Sequence, residues 1–236
     1  FDNAPGFPPF TGAPGAVTNV GADTSTGAGL RIGYMGRYND MFSLGASYST
    51  KVRMKPFDKY RGPFAGGGDF DIPANYSIGI AVTPLRDWTI ALDVGRIAYS
   101  DVPSVGNASM PVAPLGAANG PGFGWRDITV VKLGAQWRMS PAWTLRAGYN
   151  RGGNPITPAD VTFNILAPGV MKDHFTLGFT RAMGKDNELT GALMIAPRKS
   201  VTGPSLFNGV MGAGAAGNET ISMRQVSFGA AWSWKF

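Results

Sequence analysis

Apolar and polar residues alternate strictly at the end of the chain, in the segment SFGAAWSWKF. The even-numbered positions from 228 to 236 carry aromatic residues and one alanine, whereas the odd-numbered positions carry glycine, alanine, serine and lysine. Successive side chains of a β-strand point to opposite faces, so the pattern predicts a strand with one apolar and one small or polar face. Either a protein core or lipid must cover the apolar face.

The same alternation recurs along the chain and predicts nine strands. Prolines and glycines interrupt every candidate helix, so the pattern indicates an all-β protein. In the fourth strand the alternation changes phase near Arg96, which predicts a β-bulge. The predicted strands cover about residues 26–37, 41–55, 72–84, 88–100, 127–139, 143–151, 174–183, 188–197 and the C-terminal segment.

The predicted connections alternate between short and long ones. Bacterial outer-membrane barrels have short turns on the periplasmic side, long loops outside and aromatic girdles at the strand ends. Trp88, Trp143, Trp234 and Phe236 fall where the periplasmic girdle would lie. The pattern favours an antiparallel transmembrane β-barrel over a soluble β-protein, with lipid covering the apolar face. The short connections cover 38–40, 85–87, 140–142 and 184–187, and the long ones cover 56–71, 101–126, 152–173 and 198–220.

Composition supports this class and argues against others. Charged residues make up 15% of the 236 residues, against about 25% in a typical soluble domain. No apolar run reaches the roughly 18–20 residues that a membrane helix needs, so only strands could cross a bilayer. The chain has no cysteine, and its net charge of +6 comes from scattered Lys and Arg residues. Disulfides, thiolate metal sites and a nucleic-acid surface are therefore not expected.

The number of strands bears on the extent of the domain. Single-chain bacterial barrels normally have an even number of strands, and an open sheet of nine would leave two bare edges in lipid. We therefore expect either further strands or that the chain is the C-terminal part of a larger barrel. Residues 1–25 are interpreted as an extracellular loop segment and residues 26–236 as the barrel portion.

Three stretches occur in a fixed order along the chain. In DIPANYSIGIAVTPLRDWTIALDVGRIAYSDV, a proline, a strand and a short turn precede a tryptophan that opens the next strand. In WRDITVVKLGAQWRMSPAWTLRAGYNRGGNPITP, the pieces are W-x-D, L-G, W-T-L-R-A-G-Y and N-P-I. The third stretch is ILAPGVMKDHFTLGFTRAMGKDNEL, and the chain closes on aromatic-Lys-Phe. As an ordered set over about residues 26–236, these pieces resemble successive hairpins of the FadL/TodX (OmpP1) family of outer-membrane transporters.

This resemblance implies a fourteen-stranded barrel plugged by an N-terminal hatch, of which the chain would carry the last nine strands without the hatch. It implies passive transport of long-chain fatty acids or aromatic hydrocarbons across the bacterial outer membrane to a lateral opening. The expected partners are outer-membrane lipid, lipopolysaccharide and a hydrophobic small molecule, and the full-length protein would be a monomer. A structural or adhesive barrel without a solute path is the alternative, but Gly, Ser and Ala on the predicted inner faces favour an open lumen.

Cations on the predicted inner faces are candidates for binding the acid group of a solute. A carboxylate would accept charge-assisted hydrogen bonds from them. The other interpretation is that they pair with Asp93 or other acids, or are solvated; a neutral hydrocarbon would need none of them. The candidates are Arg31, Lys51, Lys132 and Arg146, with Arg53 and Arg138 as further inner-face cations.

Apolar residues in the long loops are candidates for a first capture site. Exposed together, they would form a greasy groove outside the membrane. Alternatively, they pack on each other or over the mouth of the barrel. The candidates are Phe7, Phe10, Phe64, Phe123, Leu166 and Phe207.

No sequence pattern predicts an enzyme, a cofactor or a metal site. His174 is the only histidine, and no carboxylate cluster lies beside it in the sequence. The segment GAGAAG at 212–217 matches a dinucleotide-binding pattern, but no strand–helix unit surrounds it, so it is interpreted as a loop.

Overall fold

Nine antiparallel strands form one continuous sheet, which confirms the number that the alternation predicts. The structure is a computed structural model and describes residues 11–110 and 113–234. Each strand pairs with the next sheet strand along the chain, and the first and last of the nine form the two edges of this unclosed meander among the described residues. The strands are β2 (Arg31–Arg37), β3 (Phe42–Ser49), β5 (Asn75–Leu85), β6 (Trp88–Ile97), β7 (Ile128–Ser140), β8 (Trp143–Gly152), β9 (Asp173–Met183), β10 (Asn187–Pro204) and β11 (Asn218–Trp234).

Two further strands, β1 (Gly27–Ala28) and β4 (Arg53–Met54), pair with each other in a small separate ribbon. The first two predicted strands are therefore too long, because their ends leave the main sheet. The chain changes partner at this point: the N–H of Val52 donates to the carbonyl of Ile72 at 3.0 Å.

The strands β10 and β11 extend much further than predicted, with 18 and 17 residues. The prediction of a long connection over 198–220 is wrong, and the connection covers only 205–217. The reason is a register shift in β10 between Ala196 and Lys199. A one-residue shift moves all following side chains to the opposite face, so the alternation cannot be followed through it.

The predicted bulge at Arg96 is also wrong. Arg96 pairs in unbroken register with Tyr76 on one side and Thr129 on the other. The alternation ends there because the strand itself ends at Ile97. Arg96 remains on the outer face, where its Nη2 lies 3.1 Å from Asp127 Oδ2.

Large apolar side chains line up across the strands on one face, which we call the outer face. Leu133 lies opposite Leu92 and Tyr149, and Leu193 lies opposite Leu177 and Phe228. Leu177 is 61% exposed and Phe228 is 77% exposed, so no protein core covers this face. An apolar surface of this extent is compatible with a hydrocarbon solvent and not with water.

Aromatic side chains gather at the end of the sheet that carries the short turns, as predicted for Trp88, Trp143 and Trp234, whereas Phe236 lies outside the described residues. The rings of Trp88 and Trp137 are stacked with centroids 5.4 Å apart, and those of Trp143 and Phe179 are 5.8 Å apart. The guanidinium of Arg181 lies 5.4 Å from the Trp143 ring. Such aromatic groups are typical of the boundary between hydrocarbon and water.

Four long loops fold together at the other end of the sheet, over residues 55–74, 98–127, 153–172 and 205–217. We call them the loop cap. Its small core consists of Ile156, Val161 and Val170, which pack against Ile221 of β11. The bulge in β10 matters here, because it places Val201 on the side that contacts this core.

Helical structure in the described residues is limited to single turns in these loops. None of these helices has the length and apolar character of a membrane span. The turns cover Ala65–Gly68, Tyr99–Asp101, Pro103–Gly106, Pro158–Asp160, Phe163–Ile165 and Asn208–Met211.

The open edges lead to a prediction for the 236-residue chain. Refolded alone into detergent, it is expected to form no heat-modifiable barrel monomer, because backbone groups along the edges of β2 and β11 would lie in hydrocarbon without partners. Electrophoresis of unheated and heated samples measures this, with the longest natural protein that contains this chain as the control. A stable, fast-migrating monomer band from the chain alone would contradict the prediction.

Candidate functional site

Small side chains make the inner face of the sheet recede between β6 and β10. Gly134 lies opposite Ala91 on one side and Gly148 on the other, and Gly178 lies opposite Ala192. Because glycine has no side chain, the surface forms a concave depression of about 450 Å³. We call it the inner depression.

Arg146 lies at the edge of the inner depression, and its guanidinium is held in place by neutral groups. Its Nε–H donates to Gln136 Oε1 at 2.9 Å, and its Nη1 donates to Thr180 Oγ1 at 2.8 Å. No carboxylate forms a salt bridge with it in the described part of the chain. A guanidinium has five N–H donors, so further donors remain that could bind a carboxylate.

A row of polar residues crosses the inner face. It lies one row closer to the loop cap than the glycines of the inner depression. Asp93, Lys132, Asn150 and His174 are successive Cα partners on β6, β7, β8 and β9. Within the described residues, no salt bridge joins Asp93 to Lys132, although the two face each other. Asn150 Oδ1 and His174 Nδ1 are buried without a hydrogen-bond partner there.

The other predicted cations lie away from the inner depression. Arg31 is exposed on the edge strand β2. Lys51 lies at the loop cap, with its Nζ 3.4 Å from Asp71 Oδ2 and 3.3 Å from the carbonyl of Asp101. The structure thus brings Lys132 and Arg146 onto neighbouring strands of one face, and separates them from Arg31 and Lys51.

The acids beside Lys51 form a close pair. Burial raises the pKa of Asp69, and the negative charge of Asp71 raises it further. Asp71 is also buried, and its Oδ1 accepts a hydrogen bond of 2.7 Å from the N–H of Met54. This pair links the small ribbon to the loop cap.

The apolar loop candidates fall into two groups. Phe64 and Phe123 belong to a chain of ring contacts through Phe70, with centroids 5.0 and 6.5 Å apart, so they pack inside the loop cap. Leu166 and Phe207 are 83% and 41% exposed on other loops. Phe7 and Phe10 lie outside the described residues.

Two buried polar residues, Asp160 and Asn164, join the loops of the cap. Asp160 Oδ1 accepts hydrogen bonds from the N–H and the hydroxyl of Ser109, at 3.1 and 2.8 Å. The amide of Asn164 accepts from Trp125 Nε1 at 2.6 Å and donates to the carbonyl of Phe123 at 2.7 Å. Every one of these contacts joins loop 153–172 to loop 98–127.

Sequence reasoning missed both residues, because it examined only cations and apolar residues in the loops. The segment Thr157-Pro158-Ala159-Asp160 contained a local signal, since Thr and Asp three residues apart around a proline are typical of a turn. The partner Ser109 lies 51 residues away from Asp160, and no local signal identifies it.

The sheet is an unclosed antiparallel meander. It has an apolar outer face, an aromatic girdle and an inner face of small residues, and together these features define an outer-membrane β-barrel architecture. A family model described as outer membrane protein transport protein (OMPP1/FadL/TodX) matches residues 9–201. The chain belongs to this family of bacterial outer-membrane proteins. The family is one of transport proteins and not of enzymes.

Solved structures of the same fold agree with this assignment. The toluene transporter TodX of P. putida matches with a TM-score of 0.59 and 21% identity, over 90% of this chain and 50% of that one. The CymD monoaromatic hydrocarbon channel matches with a TM-score of 0.51 and 18% identity, over 89% of this chain and 51% of that one. A FadL homologue of Pseudomonas aeruginosa matches with a TM-score of 0.55 and 13% identity, over 87% of this chain and 52% of that one. The chain thus spans about half the length of these proteins and forms part of a barrel.

No curated protein matches the chain in sequence. At the identities found, the likeness to solved structures shows the fold alone.

The loop contacts predict the effect of replacing Asp160. In Asp160→Ala, the buried N–H of Ser109 loses its acceptor and its hydroxyl keeps only the carbonyl of Ala159, which costs about 1–3 kcal/mol of local stability. Loops 98–127 and 153–172 are expected to exchange their amide hydrogens faster, as measured by hydrogen–deuterium exchange, while β8 and β9 are unchanged. Asp186→Ala, at an exposed turn, is the matched control. Equal exchange in the two variants would contradict this.

The raised pKa of Asp69 predicts a pH dependence of loop 55–74. A carboxyl whose pKa is higher in the folded state stabilises that state when protonated, and this contribution is lost as pH rises through the raised pKa. After correction for intrinsic exchange rates, this loop should exchange more slowly near pH 4 than at pH 7. Asp69→Asn should remove the difference, whereas Asp58→Asn in the same loop should keep it. A difference that survives in Asp69→Asn would show that another group causes it.

Proposed function

We propose that the protein forms a passive channel for hydrophobic compounds across the outer membrane. The observation that carries the proposal is the inner depression, in which glycines from neighbouring strands leave room on the lumen side of the sheet. A barrel with only an adhesive or structural role would need no such space on its inner face.

The solute class follows from the lining and from the relatives. The walls of the depression are mainly alanine, glycine and threonine carbon atoms, which suit an apolar solute. Relatives of this fold include a toluene transporter and a monoaromatic hydrocarbon channel. Long-chain fatty acids and aromatic hydrocarbons are therefore the proposed solutes, and no cofactor or catalytic residue takes part.

Arg146 is the proposed contact for solutes that carry a carboxylate. Its guanidinium is preorganised by Gln136 and Thr180 and lies at the wall of the depression. Lys132 is the second candidate, because it lies four residues before Gln136 on the neighbouring strand β7, on the same face. Arg31 and Lys51 are kept as weaker candidates, for an earlier step near the loop cap.

Exposed apolar residues of the loop cap are proposed to capture the solute first. Leu166 and Phe207 present apolar surface to the outside, whereas Phe64 and Phe123 support the cap from within. Phe7 and Phe10 complete the proposed set. Outer-membrane lipid and lipopolysaccharide are the proposed surroundings, and the full-length protein is proposed to act as a monomer without nucleic-acid partners.

Filling the inner depression tests the channel. In the longest natural protein that contains this chain, Gly134→Phe should lower uptake of labelled toluene into proteoliposomes several-fold, because the ring would occupy the depression. An added Cβ at Gly134 meets no atom within 4 Å, so the substitution is compatible with the fold. Gly33→Phe, on the same face of the distant strand β2, is the control. Uptake no higher than in empty vesicles for the unaltered protein would overturn the proposal.

Replacing Arg146 tests the contact with acids separately. Loss of a charge-assisted hydrogen bond costs about 1.5–3 kcal/mol, so Arg146→Gln should weaken fatty-acid binding roughly 10- to 150-fold. Binding of a neutral aromatic hydrocarbon should not change. Arg138→Gln, one row nearer the short turns, is the matched control. Equal losses for the acid and the neutral compound would show that Arg146 has only a structural role.

A further inference from the structure

Basic side chains gather at the loop-cap end of β8 to β11, and the strand register places Arg151, Asp173 and Arg224 on the outer face. Arg198, Lys199 and Arg224 are exposed there together with Arg151, and Asp173 is the acid among them. We call these five residues the rim cluster. Four cations and one carboxylate at this end of the sheet leave an excess of positive charge.

The strand register brings the rim cluster together. Arg151 is the Cα partner of Asp173, and its Nη1 lies 3.5 Å from Asp173 Oδ1. Lys199 Nζ lies 3.7 Å from Asp173 Oδ2. Arg224 lies on β11 opposite the bulge of β10 that carries Arg198. In a bulge, two residues oppose one on the partner strand, so Arg198 and Arg224 become neighbours.

The carboxylate of Asp173 does not balance these cations. Both of its ion pairs are longer than the roughly 2.7–2.9 Å of a charge-assisted hydrogen bond, and its Oδ1 accepts a bond of 2.7 Å from the Tyr149 hydroxyl. Like charges that face each other across strands are destabilising, as with Arg198 and Arg224. The side chains of Arg151 and Lys199 are 63% and 45% exposed, so an external anion can reach them.

The depth of the rim cluster indicates which anion this is. Tyr149, Phe175, Ile195 and Val226 form the last apolar row of the outer face, as successive Cα partners. Arg151, Asp173 and Arg224 lie two residues further along these strands, within about 7 Å of that row. The long loops of such barrels lie outside the cell. The cations are therefore level with the headgroups of the extracellular leaflet, directly above the acyl chains.

We propose that the rim cluster binds the phosphates of lipopolysaccharide. Its lipid A carries phosphate groups at this depth, and basic clusters next to a membrane surface attract anionic lipid headgroups. The neighbouring rim cation Arg96 is already balanced by Asp127 at 3.1 Å, so the excess charge belongs to the rim cluster and not to the whole rim. The proposal concerns the outer surface and does not depend on what passes through the lumen.

Binding of lipid A to the purified natural protein in detergent tests this, by native mass spectrometry or titration calorimetry. The unaltered protein should bind bisphosphorylated lipid A, and Arg151→Gln/Arg224→Gln should bind it roughly 30-fold more weakly. Arg86→Gln/Lys185→Gln, with two exposed cations replaced at the short turns, should bind as the unaltered protein does. Arg151→Lys/Arg224→Lys keeps the charge and should retain most of the binding.

Further arms separate lipid phosphate from other causes. Lipid A stripped of its phosphates should bind the unaltered protein as weakly as bisphosphorylated lipid A binds the glutamine variant. The comparison of the two lipids uses only the unaltered protein. It therefore tests the role of the phosphates even if a variant does not fold. Equal binding of both lipids would overturn the proposal, as would unchanged affinity in the glutamine variant. Full displacement of lipid A by millimolar inorganic phosphate would also overturn it, because the site would then select free phosphate.

Discussion

Hydrocarbon offers no hydrogen-bond partner to a backbone amide, and this constraint organises the whole molecule. A sheet meets it by pairing each strand with a neighbour on both sides, and the seven strands between the two edges of this nine-stranded meander do so. Once the backbone is paired, the two faces are free to differ. The outer face can be apolar because its solvent is lipid, and the inner face can carry small residues because the stability of the sheet does not require a packed core there.

This division explains why the main buried core of the described residues lies in the loops. Ile156, Val161 and Val170 come from one long loop and pack on Ile221 of the last strand. The buried carboxylate of Asp160 and the buried amide of Asn164 then join that loop to its neighbour. The loop cap is thus held together by ordinary packing and hydrogen bonds, at the end of a sheet whose apolar face needs no such core.

The β-bulge in β10 has consequences on both faces. It inverts the orientation of the residues that follow, so that Val201 contacts the core of the loop cap. On the outer surface it brings Arg198 next to Arg224. It is also why the alternation could be read only as far as about residue 197, and why the last long connection was predicted too long. The supposed bulge at Arg96 was only the end of a strand, and a change of phase in the sequence cannot distinguish the two.

The alternation of Phe228, Trp232 and their neighbours by itself determined the strand, its two faces and its lipid-facing side, and repetition of that pattern determined the number of strands. These features follow from a period of two residues, which is a local property of the backbone. The tertiary structure alone decided that Arg146 is held by Gln136 and Thr180, and that Asp160 meets Ser109. It also decided that Arg151 and Lys199 of the rim cluster meet at the carboxylate of Asp173. Such contacts join residues far apart in the chain and depend on strand register and loop packing, which no local pattern records.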